Sequence, residues 1–251
     1  MSRFSTTDEF NLRCGYGTDI GLHRDINEDH LLVSERVFAV ADGMGGHEAG
    51  EVASRLAIQT LEALADGYNG HVNATALQDA LADADVNIQE VGEGRAGTTV
   101  TGAALITENN QHFWLVFNVG DSRTYRLREG KLELLTVDHS EVQDMVNHGY
   151  ITEQEARVHP RRHVITRALG AGAANQADFY LYPVIAGDRL LICSDGLSTE
   201  LLDEEIQVLL RLHPDAQTAV NELITHALAR GGRDNVTVIV VDAVPNAPTA
   251  P

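Results

Sequence analysis

Residues 37–46 of the chain read VFAVADGMGG, an unbroken apolar run that ends at Asp42 in a cluster of glycines. A short apolar run without alternation predicts a strand that is buried on both faces. The glycines leave the backbone free to turn tightly and to approach a ligand closely. The stretch therefore predicts that Asp42 stands at the end of a rigid strand, beside the carbonyl of Gly43. Hard divalent cations prefer such oxygen ligands.

Two other apolar runs end in the same way. Residues 114–119 lead into Gly120 and Asp121, and residues 190–193 lead into Ser194, Asp195 and Gly196. A single Asp-Gly pair after a strand is most often a plain turn. Three strands that each deliver an aspartate beside a glycine favour a metal site instead.

A nucleotide-binding loop is the main alternative for a glycine cluster after a strand. A GxGxxG motif that begins at Gly43 would need a third glycine at position 48, where Glu48 stands. Asp42 also has the wrong charge to lie beside a pyrophosphate without a metal. No GxxxxGK[ST] phosphate loop is present in the sequence.

The charge of the chain limits its partners. Its 251 residues include 18 Lys plus Arg and 37 Asp plus Glu, which gives a net charge of −19. This balance argues against nucleic acid and against anionic membranes as partners. Any phosphate chemistry must depend on bound cations and on local arginines, because the chain as a whole repels anions.

The two cysteines, Cys14 and Cys193, are far apart in the sequence. They indicate neither a disulfide framework nor a zinc site. Residues 1–10 have no signal-peptide core, and no apolar run approaches the length of a membrane span. We therefore expect a cytoplasmic protein.

The order of the predicted elements favours an α+β fold in which helices cover antiparallel sheets. Strands are predicted at 11–20, 31–33, 37–41, 98–107, 112–119, 123–128, 132–135, 164–169, 179–183, 189–193 and 236–244. Helices are predicted from 47, from 73, at 202–212 and at 216–229. Residues 138–160 read as short-helical and irregular. We expect one domain over residues 1–244 and a disordered tail at 245–251.

Five aspartates are candidates for a shared site, although only the fold can bring them together: Asp29, Asp42, Asp121, Asp195 and Asp234. Clustered carboxylates repel one another unless a cation neutralises them. Because no His or Cys ligand spacing is present, Mg²⁺ or Mn²⁺ fits better than Zn²⁺.

No side-chain nucleophile is evident. The GxSxG motif is absent, and Ser122 and Ser194 flank aspartates without an obvious base. The economical mechanism is attack by a metal-bound water, with two metals about 3.5–4 Å apart that clamp the phosphoryl group.

The chain closely resembles the bacterial metal-dependent serine/threonine protein phosphatases of the PPM, or type 2C, family. The resemblance spans nearly the whole chain, and its stretches follow the order of the family. They are RDINED (24–29), VADGMGGHEAGEVAS (40–54), GTT (97–99), VGDSRTYRLREG (119–130), TVDHS (136–140), ITRALG (165–170), GDRLLICSDGL (187–197) and GGRDNVTVIVV (231–241).

The resemblance implies a central β-sandwich of two antiparallel sheets flanked by helix pairs, with the metals in a cleft at one end. It implies that Asp42 bridges two metals and that the carbonyl of Gly43 binds one of them. Asp195 and Asp234 would complete the ligands of the other metal. Asp29 would act through coordinated water.

The resemblance also implies a third, looser metal at Asp121 and a substrate phosphate at Arg24, whose guanidinium suits paired oxygens. Asn235 would not bind the metals itself but would hold the residues that do. Animal members often carry a general-acid histidine where this chain has Met44. His47 is the weaker candidate for proton donor here, and a second metal-bound water is the stronger one.

Residues 138–163 match the variable flap of the family. Arginines are concentrated there and just after it, at 157, 161, 162 and 167. A solvated basic turn is one interpretation. The sharper hypothesis is that Arg161 and Arg162 contact the phosphoprotein over the cleft. His163 is a further candidate near the third metal, and His139 is the next histidine to test.

The sequence thus predicts an enzyme that hydrolyses phosphoserine or phosphothreonine in proteins with two Mn²⁺ or Mg²⁺ ions, opposing a bacterial kinase. We expect it to act as a monomer on phosphoprotein substrates. Two alternatives stay open, a catalytically dead module that binds phosphoprotein and a phosphohydrolase of small metabolites. Against the first, every ligand position of the family is filled.

Overall fold

Two antiparallel six-stranded sheets form the centre of the computed structural model of this chain. The structure describes residues 2–5, 10–45, 49–67, 72–92, 95–172 and 176–246. The first sheet has, in spatial order, β1 (Ser2–Ser5), β2 (Phe10–Asp19), β12 (Val236–Pro245), β11 (Arg189–Cys193), β8 (Arg123–Arg128) and β9 (Lys131–Leu134). The second has β10 (Asp178–Pro183), β7 (Gln111–Val119), β6 (Val100–Glu108), β4 (Val37–Gly45) and β3 (Asp29–Val33), with β5 (Ala96–Thr98) paired to β4.

Helices pack on the outer faces of both sheets. The helices against the second sheet are α1 (Ala49–Gly67) and α2 (Ala74–Gly92). Those against the first sheet are α5 (Asp195–Ser198), α6 (Asp203–Leu212) and α7 (Ala216–Arg230). Two short helices, α3 (Glu141–Asn147) and α4 (Glu153–Val158), occupy the predicted flap. The predicted α+β sandwich with flanking helices is confirmed.

Strand β4 shows why the central strands read as unbroken apolar runs. Val37, Ala39 and Ala41 pack toward α1 and α2, whereas Phe38 and Val40 pack between the two sheets. Strands β11 and β12 divide their side chains in the same way between an outer and an inner core. Because both faces of these antiparallel strands are covered, both faces are apolar, as the sequence predicts.

Local signals place the boundaries of several elements. The Asn73 side chain accepts a hydrogen bond of 2.9 Å from the Ala76 backbone N–H, as expected of the residue before α2. The β6–β7 hairpin turns through Asn109 and Asn110, with φ angles of 51° and 61°. Asparagine tolerates this left-handed conformation better than most residues, and two such residues match the hairpin twist.

Some boundaries differ from the predictions. Residues 164–169 form no strand but only isolated bridges, Thr98 with Leu169 and Ser140 with Ile165. Strand β4 does not end at Ala41 but continues through Asp42 to Gly45, because β5 pairs with its last residues. Strand β1 and the four-residue helix α5 were not predicted.

Strand β12 includes Pro245, which lies in the predicted tail. Residues 247–251 and the candidate proton donor His47 lie outside the described residues. Within the ranges that the structure describes, no helix is long and apolar enough to cross a membrane.

Candidate active site

Asp29 and Asp42 face each other across neighbouring strands. They are register partners in the antiparallel pair of β3 and β4. Directly opposed residues in such a pair have Cβ atoms about 4.5–5.5 Å apart, so both carboxylates lie at the same end of the second sheet.

The backbone of Asp42 is fixed by the threonines of the GTT stretch. Its carbonyl accepts hydrogen bonds of 2.9 Å from the Thr99 backbone N–H and from the Thr98 hydroxyl. The Thr99 hydroxyl in turn lies 2.8 Å from that of Ser122, the residue after Asp121. Residues 97–99 therefore connect the segments that carry two of the candidate ligands.

Gly43 lies inside β4 rather than in the expected turn. A Cβ atom at this position would lie 2.2 Å from the Gly50 carbonyl oxygen and 2.6 Å from that of Glu28. Only glycine allows the first turn of α1 to approach the strand this closely. The approach brings the beginning of α1 beside the Asp42 end of the sheet.

Asp121 follows β7 and is positioned through Gly120. The Gly120 backbone N–H donates to the ring Nδ1 of His139 at 3.1 Å. The backbone N–H of His139 donates to the Gly120 carbonyl at 2.9 Å. His139 Nε2 lies 3.2 Å from Asp178 Oδ2. The ring is therefore neutral with its proton on Nε2, and burial lowers the pKa of His139 accordingly.

Asp195 and Asp234 come from the first sheet. Asp195 begins α5 directly after β11, and Asp234 precedes β12. The Asn235 side chain donates to the carbonyls of Ile20 and Ile26 at 2.9 and 3.0 Å, and it accepts from the Glu28 N–H at 2.8 Å. This buried amide ties the loop before β3, which carries Arg24, to the start of β12.

Burial and mutual repulsion raise the pKa values of the clustered carboxylates. Burial raises the pKa of Asp42 well above its usual range, and repulsion from Asp29, Asp195, Asp121 and Asp234 adds to the shift. Burial and then Asp195 raise the pKa of Asp121 in the same way. Such a group of anions needs a cation to stay ionised at neutral pH.

Asp29 provides the test of fit for a cation. Its side chain is 5% exposed, and neither carboxylate oxygen has a hydrogen-bond partner within the described residues. Burial raises its pKa to about 7, although the nearby hydroxyls of Thr237 and Ser194 oppose the shift. Buried carboxylate oxygens without partners are the donors that a hard divalent cation or its water ligands would satisfy.

Within the described ranges, no three His, Cys, Asp or Glu side chains surround one point closely enough to hold an ion alone. This spacing is consistent with Mg²⁺ chemistry, in which the ion keeps several waters and takes one or two carboxylates. The residues present therefore fit partly hydrated cations and not a closed cage of side chains.

A cavity of about 400 Å³ collects most of the predicted site residues. Those that line it are Arg24, Asp42, Gly43, Asp121, Asp195, Asp234, Arg162 and His163. Asp29 is buried and does not line this cavity. A second cavity, of about 570 Å³, adjoins the first beneath the flap, and Asp121, Asp195, Arg162 and His163 line both cavities.

Arg162 lies at the cavity and Arg161 does not. Arg161 pairs with Glu141 of α3 at 2.5 Å, and it lines neither cavity. Arg157 lies 3.6 Å from Asp203, and Arg167 lies 2.8 Å from Asp178. Among the described residues, Arg162 contacts no carboxylate, so its positive charge stays available to the cavity.

Sequence reasoning did not single out Arg233 or Glu200, which line the 400 Å³ cavity as well. Arg233 directly precedes the candidate ligand Asp234, and this adjacency was the available signal. Its ionic partner Glu200 lies 33 positions earlier in the chain, and only the fold reveals the pair.

Comparison with known proteins identifies the family of the chain. A family model described as Protein phosphatase 2C matches residues 24–230. The serine/threonine protein phosphatase PstP of Mycobacterium tuberculosis is 42% identical over 239 residues, 93% of this chain and 45% of that protein. This chain therefore spans about half the length of that curated relative.

Two further comparisons cover nearly all of their counterparts. The serine/threonine phosphatase stp of Listeria monocytogenes is 34% identical over 241 residues, 90% of this chain and 94% of that protein. The crystal structure of the catalytic domain of PstP in complex with two manganese ions has a TM-score of 0.84 and 39% identity, and the match covers 93% of this chain and 98% of that one. The family model, these identities and the shared architecture together show that the chain belongs to the protein phosphatase 2C family.

Proposed function

We propose that this chain is a metal-dependent protein phosphatase that hydrolyses phosphoserine and phosphothreonine in proteins. The observation that carries the proposal is the convergence of five aspartates from two sheets on one end of the sandwich, with Arg24 at the rim. The relatives named as serine/threonine phosphatases and the PstP complex with two manganese ions support this choice of reaction. The substrates are then phosphoproteins, including targets of a serine/threonine kinase.

The residues would hold two Mn²⁺ or Mg²⁺ ions as follows. Asp42 and the Gly43 carbonyl would contribute ligands to these ions. Asp195 and Asp234 would contribute further ligands, and Asp29 would act through water. Asp121 would hold a third, weaker ion. When bound, the ions supply charge stabilisation to the phosphoryl oxygens and make water nucleophilic at neutral pH.

The chain's own groups orient the substrate. The guanidinium of Arg24 is 47% exposed and lines the 400 Å³ cavity, and it would take two phosphoryl oxygens in a bidentate contact. Arg162 projects from the flap segment onto both cavities and adds a second positive charge. The network of Asn235 holds the Arg24 loop in register with the aspartates. These groups counter the repulsion that the net charge of −19 imposes on an anionic substrate.

The test is phosphate release from a phosphothreonine peptide with Mn²⁺, after chelation, and by the variant Asp42→Asn. We expect metal-dependent release that Asp42→Asn lowers at least 100-fold, since loss of groups that merely support ligands costs about 10–100-fold. Asp66→Asn, an exposed carboxylate at the end of α1, is the matched control and should keep full activity.

Two outcomes would overturn the proposal in different ways. Binding of the phosphopeptide without release under any metal would identify a dead module. Release from small phosphate esters but not from phosphopeptides or phosphoproteins would identify a metabolite phosphohydrolase.

A further inference from the structure

Arg233 stands at the junction of the two cavities. Six residues line both, namely Asp121, Arg162, His163, Asp195, Thr199 and Arg233. The Arg233 side chain is 60% exposed, so its guanidinium is open to whatever occupies either cavity. Its neighbour in the chain is Asp234, which places it within one residue of the candidate metal centre.

A buried carboxylate fixes this guanidinium. Arg233 Nε and Nη2 donate to the two oxygens of Glu200 at 2.9 and 2.8 Å, and the Arg233 backbone N–H adds a bond of 3.1 Å. The Glu200 side chain is only 2% exposed. Hydrogen bonds from Arg233 lower the pKa of Glu200, so the anchor stays ionised. The Nε–Nη2 edge of the Arg233 guanidinium is thus occupied by Glu200, and this pair fixes the orientation of the guanidinium.

The other edge of the Arg233 guanidinium, at Nη1, has no partner within the described residues. Within the described residues, Arg233 Nη1 makes no hydrogen bond, and Arg233 pairs with no carboxylate except Glu200. Other arginines of the two cavities are engaged differently. Arg123 is paired with Asp138 at 2.7 Å in a largely buried contact, and Arg24 pairs with Asp234. Arg162 contacts no carboxylate among the described residues, so no such pair fixes its orientation.

The wall of the second cavity is not uniformly anionic either. Its carboxylates away from the metal centre are Asp138, Glu153 and Asp203. Asp138 is paired with Arg123, and Asp203 lies 3.6 Å from Arg157. Glu153 is exposed in the first turn of α4. Apart from the candidate metal ligands Asp121 and Asp195, Glu153 is thus the one carboxylate of this cavity, among the described residues, without an arginine partner.

We propose that Arg233 binds a second anionic group of the phosphoprotein, a carboxylate or a further phosphoryl group close in sequence to the residue being dephosphorylated. This inference rests on the proposed function. A cavity of about 570 Å³ has an edge of about 8 Å, the cube root of that volume, which two or three extended residues span. The second anion thus lies within about three positions of the phosphoresidue. Arg233 determines the sequence preference of the enzyme.

The experiment compares peptides within one enzyme. A phosphothreonine peptide with neutral flanks is the reference, and six variants carry glutamate singly at positions −3 to +3. A second series carries phosphoserine at the preferred position. Because phosphoserine is itself a proposed substrate, fragment mass spectrometry follows the initial rate of phosphate loss from the phosphothreonine alone. For each enzyme the measured quantity is the ratio of kcat/KM for the acidic peptide to kcat/KM for the reference. This ratio cancels any uniform loss of activity caused by a change beside Asp234.

We expect one position at which glutamate raises kcat/KM about 3- to 10-fold in the unmodified enzyme, the range of a well-oriented, partly exposed ion pair. Arg233→Gln should bring that ratio to about 1, and Arg233→Lys should restore part of it. Arg230→Gln is the matched control, because Arg230 pairs with Glu205 on α6 and lines neither cavity. Its ratio should stay at the value of the unmodified enzyme.

The phosphoserine series separates the two sources of charge. A larger ratio for phosphoserine than for glutamate would identify a second phosphoryl group as the preferred ligand, and the reverse would identify a carboxylate. Equal ratios in the unmodified enzyme and Arg233→Gln, with both proteins folded by circular dichroism, would overturn the proposal and leave the Glu200 pair a structural contact. Failure of the proposed function looks different, because no peptide of either series would then be hydrolysed.

Discussion

Arg24 Nη2 lies 2.7 Å from Asp234 Oδ2, so the residue proposed to bind the substrate phosphate is paired with a residue proposed to bind metal. Asp234 also accepts a hydrogen bond of 2.8 Å from the Asn235 N–H through its other oxygen. Both carboxylate oxygens are therefore engaged by cationic or N–H donors. A cation that binds Asp234 must compete with Arg24 for it.

The first prediction concerns this competition. Arg24→Ala should strengthen Mn²⁺ binding at the Asp234 site about 3- to 5-fold, because the exposed ion pair no longer has to be broken. Isothermal titration calorimetry in the absence of substrate measures the change. Arg24→Lys, which keeps the charge, should bind Mn²⁺ with an affinity between those of the unmodified chain and Arg24→Ala. Unchanged or weaker binding in Arg24→Ala would show that the pair does not oppose the metal.

The second prediction uses two adjacent arginines as a matched pair. Arg162→Ala should lower kcat/KM for a phosphoprotein by about 5- to 10-fold, and it should affect a small aryl phosphate less, because Arg162 alone of the two lines the cavities. Arg161→Ala removes the same charge from a position paired with Glu141 and should change neither rate. Equal losses in the two variants would indicate a general effect of flap charge.

The third prediction is that His139 positions Asp121 through Gly120. His139→Ala removes the acceptor of the Gly120 N–H and leaves that buried donor unsatisfied, at a cost of about 1–3 kcal/mol. We expect faster hydrogen exchange at the Gly120 amide and a weakest Mn²⁺ binding step that is reduced about 10-fold. His226→Ala, at an exposed position of α7, is the control. Normal exchange at Gly120 in His139→Ala would contradict this role.

The fourth prediction concerns the stability of the metal-free protein as a function of pH. The folded state raises the pKa of Asp29 from 3.8 to about 7, so between these values the folded state binds more protons than the unfolded state. The stabilisation of the folded state by the protonated Asp29 carboxyl is thus complete below about pH 4, and it is lost as the pH rises to about 7. The loss is about 4 kcal/mol at about 1.4 kcal/mol for each pH unit.

Denaturant unfolding of Asp29→Asn in the presence of a chelator measures this loss. The variant should be more stable than the unmodified chain at pH 8, by an amount that shrinks toward pH 4. Added Mn²⁺ should remove the advantage, because the cation stabilises the ionised carboxylate of the unmodified chain. A constant difference between the two proteins at all pH values would show that Asp29 keeps an ordinary pKa.

Much of this architecture could be predicted because its signals are local. The apolar runs of β4, β7 and β11 mark buried strands, and each run ends beside one of the aspartates of the site. Asn73 before α2 is a local signal of the same kind. The prediction for residues 164–169 was wrong because only the end of this segment is buried. Val164 is 41% exposed, and the buried Leu169 joins the sheet through a single bridge to Thr98.

What could not be predicted depends on partners that are distant in sequence. Arg161 and Arg162 are the same residue type at adjacent positions, and the choice between them depends on Glu141 in α3. The continuation of β4 to Gly45 depends on β5, whose three residues are too short to show a pattern of their own. No local rule connects Arg233 with Glu200.

The site straddles the two sheets. Asp29 and Asp42 lie in strands of the second sheet and Asp121 follows one, whereas Asp195 follows a strand of the first sheet and Asp234 precedes one. Their separation is therefore set by the thickness of the apolar layer between the sheets, where Phe38 packs edge-on to Trp114. A change of volume in that layer alters the spacing of the metal ligands without touching any of them. A substitution buried far from the cleft would therefore change the affinity of the proposed site for metal as well as the stability of the fold.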